Sequence, residues 1–96
     1  MSPPSLPPIA LLEDTHAFPC AYTFKVFGPA DVPMAERVER ATATALTRAP
    51  RVESSCRPSG QGRWLCVTVA VEVHDAHEVH ALYYAYLGLE DVRMVL

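Results

Sequence analysis

The stretch RWLCVTVAVEV, Arg63 to Val73, decides the fold. Leu65, Val67, Val69, Val71 and Val73 alternate with Trp64, Cys66, Thr68, Ala70 and Glu72. That is the period of two shown by a strand with one buried face. β-branched residues hold most inward positions, so this run is expected in the middle of a sheet, with helices over its apolar parity.

Upstream, Tyr22, Phe24 and Val26 alternate with Ala21, Thr23, Lys25 and Phe27, a second strand closed by Gly28 and Pro29. After Asp31 and Pro33 the spacing turns helical, with Ala35, Val38, Thr42, Ala45, Leu46 and Ala49 on one stripe and an end expected before Pro50. Arg51 to Arg57 is a weak polar strand, and Pro58 to Gly62 is a turn. A two-residue turn at Gly60 and Gln61 would send Arg51, Glu53, Ser55 and Arg57 outward and Val52, Ser54 and Cys56 inward.

Downstream, Asp75 followed by Glu78 forms a capping pair, and Val79, Leu82, Tyr83, Tyr86 and Leu87 follow at helical spacing up to Gly88. Asp91 to Leu96 closes the chain as a short strand with Val92, Met94 and Leu96 on one parity. The order is βαββαβ. Connection rules then favour an α+β, ferredoxin-like split sandwich: a four-stranded antiparallel sheet in the order 4-1-3-2 with two helices on one face. The domain spans residues 16–96. Residues 1–15, crowded with Pro3, Pro4, Pro7 and Pro8, are expected to be a flexible, extended tail.

With 96 residues, half of them apolar, the chain can fold as one domain without metal or disulfide staples. A net charge of −3 disfavours a generic polyanion binder. Three cysteines without a Cys-x-x-Cys pair point to free thiols in a reducing compartment. With no basic leader followed by a long apolar run, a cytoplasmic location and no membrane partner are expected.

Three blocks, FPCAYTFKVFG (18–28), RPSGQGRWLCVTV (57–69) and DVRMVL (91–96), together resemble the YbeD-like family of small bacterial cytoplasmic proteins of unassigned function. The resemblance runs from about Leu11 to Leu96. It implies a ferredoxin-like domain similar to the ACT-type regulatory domains of amino-acid enzymes, and no established catalytic residues. The chain departs from the family pattern at Cys66, where Ser is usual, and at Trp64, where Tyr is common. By the same resemblance the turn from Gly28 to Asp31 stands where ACT-type domains hold an amino-acid effector; the plainer alternative is a turn that only reverses the chain.

Searching the chain for chemistry yields little. His74 precedes the cap, His77 lies nearly opposite Val79 on the helix and His80 lies at the margin of the apolar stripe; no Cys is near them in sequence, and no metal or other cofactor is expected. No nucleophile elbow or triad setting occurs, so enzymatic activity is not expected. Strand parity leaves one face of the sheet open, with Lys25, Phe27, Trp64, Cys66, Thr68 and Arg93, together with Val95, apolar and fringed by positive charge. Such a patch marks a partner site, in a protein partner or a homodimer. The expectation is a non-enzymatic regulatory or protein-interaction module, with effector sensing as the ACT-like variant. The alternative is an RNA-binding module on the same face; it is disfavoured because Cys66 stands where a second stacking ring is needed.

Overall fold

The structure, a computed structural model, describes residues 6–96. The elements are α1 (Ile9–Thr15), β1 (Cys20–Pro29), α2 (Met34–Ala45), β2 (Val52–Ser59), β3 (Trp64–Val73), α3 (Ala76–Leu87) and β4 (Met94–Val95). The four strands form one antiparallel sheet in the order β2-β3-β1-β4, which is the expected ferredoxin-like order read from the other edge. β3 and β1 are central because they carry the longest runs of inward apolar side chains. Cys20 to Pro29 pairs residue for residue with Val73 to Trp64.

The core lies between the sheet and the helices. Phe24, Val26, Val67, Val69, Val71 and Val73 meet Met34 and Val38 of α2 and Val79, Leu82 and Tyr86 of α3. Tyr86, fully buried, is the largest of these side chains. The Thr42 hydroxyl donates to the Val38 carbonyl at 2.8 Å, so the Tyr86 hydroxyl, 2.7 Å from Thr42 Oγ1, donates to it. Both polar groups are thereby satisfied in an apolar layer. Burial pushes the Tyr86 phenol up to about 12. Phe24 receives the rings of Tyr83 and Tyr86 edge to face, with centroids at 4.9 and 5.2 Å.

The ends of α3 follow from its sequence. Asp75 accepts from the Glu78 amide at 2.9 Å, and the Glu78 carboxylate accepts from the His74 amide at 2.7 Å. Arg48, in the segment after α2, donates to both Glu78 carboxylate oxygens and to the Glu72 carbonyl, tying that segment to the start of α3. The Arg48 guanidinium holds the Glu78 carboxyl below its usual range.

Four expectations require correction. Residues 9–15 are not an extended tail: α1 docks on the core through Leu12, with Leu6 and Ile9 beside it. His80 Nε2 donates to the Pro7 carbonyl at 2.6 Å and holds the approach to this helix. The prolines at 7 and 8 precede the helix instead of interrupting it, and Leu12 buries enough apolar surface to order a turn too short to stand alone. The expectation for Pro3 and Pro4 lies outside the described residues.

Next, α2 stops at Ala45, and Ala49 adopts a left-handed conformation (φ 57°) rather than continuing the stripe. In the third, Ser59 pairs with Trp64, so the β2–β3 loop holds four residues, not two. Gly60, Gln61 and Gly62 all have positive φ there. The inward and outward sets of β2 nonetheless keep the expected parity, with Cys56 opposite Val67 and Arg57 opposite Cys66. Pro58 sits within β2, tolerable because β2 is an edge strand. Finally, Leu87 turns outward and is 37% exposed, because the apolar stripe on α3 follows Ala76, Val79, Leu82, Tyr83 and Tyr86.

Candidate functional site: the open face of the sheet

Register dictates what stands together on the face turned away from α2 and α3. Directly opposed residues of antiparallel strands share a face. Cys66 of β3 therefore lies between Phe27 of β1 and Arg57 of β2. One row on, Thr68 lies between Lys25 and Ser55, and beyond it Ala70 lies between Thr23 and Glu53. β4 adds Met94 beside Phe27.

Together Lys25, Phe27, Ser55, Arg57, Cys66 and Thr68 line most of a shallow depression of about 770 Å³. A smaller one, about 370 Å³, adjoins it between Phe27, Trp64, Arg93 and Met94. The Arg93 guanidinium stands 5.2 Å from the centre of the Trp64 ring. Lys25, Arg57 and Arg93 make no ion pair among the described residues.

Trp64 is half-buried, because its ring lies under the hairpin loop. A Cβ at Gly60 would come within 2.7 Å of Trp64 Cδ1, so the glycine is needed there for space as well as for its φ of +56°. Cys66 faces away from the helices as expected, yet is only 8% exposed, shielded by its neighbours on the same face. Cys20 and Cys56 are also free thiols.

The structure thus brings Lys25, Phe27, Trp64, Cys66, Thr68 and Arg93 onto one surface. Val95 is the exception and a correction: it pairs with Val26 and packs into the core, while Met94 takes the open face. The other set, Gly28 and Asp31, is divided between a strand and the turn that follows it. Gly28 belongs to β1 and is buried, and a Cβ there would lie 2.5 Å from Met34 Sδ. Met34 fills the space beside the Gly28 Cα. Asp31 is exposed in the turn beyond the strand.

A feature not anticipated from the sequence is a groove of about 740 Å³ between α2 and α3 on their solvent side, lined by Ala41, Ala45, Ala81, Ala85 and Leu89 beside an exposed Tyr84. Its signal was the pairing of small residues four apart on both helices. Arg37, at its rim, is paired with Asp91. Among the described residues no three His, Cys, Asp or Glu side chains gather as a metal-ligand group. No helix there is long and apolar enough to cross a membrane.

These features define a small ferredoxin-like α+β domain with an uncovered sheet face. The chain belongs to the family described as protein of unknown function, DUF493, whose model matches residues 13–96. The resemblance to YbeD-like proteins carried by Phe18–Gly28, Arg57–Val69 and Asp91–Leu96 is therefore a family membership. It is 36% identical over 80 residues to a UPF0250 protein of Idiomarina loihiensis, covering 82% of this chain and 88% of that one. A UPF0250 protein of Vibrio cholerae is 34% identical over 89 residues, covering 91% and 92%. The fold is similar to the solution structure of protein HP0495 from H. pylori, with a TM-score of 0.68 at 18% identity over 85% of this chain and 86% of that one.

Proposed function

We infer that this protein is a non-enzymatic interaction module whose docking surface, for a protein partner or a second copy of this chain, is the open face of the sheet. The observation that supports it is the cluster of Phe27, Trp64, Cys66 and Met94 beside Lys25, Arg57 and Arg93, which make no ion pair among the described residues, with no described element laid over it. Aromatic anchors with a charged rim are the common make-up of protein interfaces. Effector sensing is not favoured, because Met34 occupies the space beside Gly28. RNA binding is not favoured either. Glu53 shares the face, and a cysteine stands between Phe27 and Arg57 where stacking needs a ring.

The test compares wild type with Trp64→Ala by sedimentation across concentration, while amide shifts on partner addition map the contact. Truncating an anchor of this kind costs about 2 kcal/mol or more, roughly thirtyfold in affinity. Shifts centred on Phe27 and Trp64 that vanish in the variant are expected. Binding unchanged in Trp64→Ala, shifts confined to the α2–α3 groove, or steeply salt-dependent capture of single-stranded RNA on this face would each overturn the assignment.

A further inference from the structure

We propose that the occupant of the open face is a second copy of this chain, stacked sheet on sheet about a two-fold axis running across the strands, so that Arg57 of each copy meets Glu53 of the other. This rests on the assignment of the face as a docking surface and adds the partner and its orientation.

Both charge and bulk are sorted along the face. At the hairpin end stand Arg57, Phe27 and Trp64; at the other end stand Glu53, Thr23 and Ala70, with Arg51 opposite Glu72 beyond them. Arg57 and Glu53 lie four residues apart on β2 and point to the same side, about 13 Å apart at the usual strand rise. That is too far for a direct pair within one chain. Neither makes an ion pair among the described residues, and both are exposed.

A two-fold interface is self-complementary: residue i meets residue j, and j meets i. An axis across the strands at the level of Ser55 and Thr68 exchanges the Arg57 row with the Glu53 row. It forms two reciprocal Arg57–Glu53 pairs, and it also sets bulky Phe27 and Cys66 against small Thr23 and Ala70. Stacking about an axis along the strands would instead place the basic, bulky ends together and leave the small ends gapped. At the axis level lie Ser55 and Thr68, small hydroxyl residues that tolerate contact with their own copies. Lys25 shares that level, but its long stem can carry the ammonium to the rim.

The experiment uses the full chain and charge reversal. Arg57→Glu and Glu53→Arg are each made alone, then mixed, then combined on one chain, and followed by sedimentation across concentration, with circular dichroism to verify the fold. Each single reversal sets like charges face to face twice per dimer, and should weaken self-association about tenfold or more. Mixing the two single variants, or combining both changes in one chain, re-forms the opposite-charge pairs and should restore it.

Unaffected single variants, or a double variant as weak as the singles, would overturn the arrangement. If Trp64→Ala abolishes self-association while the swap restores nothing, the docking face stands and the orientation fails. A wild type that stays monomeric across the whole range removes the second copy as occupant, and Trp64-dependent binding of a different protein then decides the fate of the face itself.

Discussion

Gly28→Ala is the substitution that separates packing from ligand binding at the end of β1. The added Cβ would lie 2.5, 2.6 and 2.9 Å from Met34 Sδ, Cε and Cγ, all closer than carbon and sulfur tolerate. Met34 is fully buried, so its thioether must move into an occupied core. Overpacking of this kind costs about 1–3 kcal/mol, offset by about 0.4–1 kcal/mol from the reduced freedom of the unfolded chain. A net loss of about 1–2 kcal/mol is expected. Urea unfolding followed by circular dichroism, with an unchanged m-value, measures it. Met34→Ala alone should cost about 2–5 kcal/mol, and in that background Gly28→Ala should become neutral or slightly stabilising. Equal cost in both backgrounds, or no cost in the wild type, would refute the contact as the reason for the glycine.

Leu12→Ala should destabilise the protein by about 2–3 kcal/mol and abolish hydrogen-exchange protection in α1, because Leu12 anchors that helix at 2% exposure; native stability in the variant would return α1 to the status of a tail. Glu78→Gln should cost about 1 kcal/mol or less near neutral pH, since its pair with Arg48 is partly screened. The Glu78 carboxyl is held below its usual 4.5, so its contribution is present above that value and lost as pH falls through the lower folded value; the gap between wild type and variant should close over that range in pH-dependent unfolding.

What was legible in the sequence is what repeats with a period. The alternation in Leu65–Val73 and Tyr22–Val26 and the helical spacing of Val79–Tyr86 are local signals strong enough to specify inward faces. Connection rules then turn them into the order β2-β3-β1-β4. The same parity placed Lys25, Phe27, Trp64, Cys66 and Thr68 on the open face, because a strand cannot turn one residue inward without turning its neighbours outward. Where the period was absent or ambiguous, only tertiary contacts decided. In β4, Val92, Met94 and Leu96 on one parity compete with Val95 on the other, and pairing of Val95 with Val26 settled which entered the core. Gly28 looked like a turn glycine until Met34, from the following helix, was seen to occupy its missing Cβ. The helix at Ile9–Thr15 is too short to be stable on local propensity, and it exists because Leu12 finds a place in the core made by residues far along the chain.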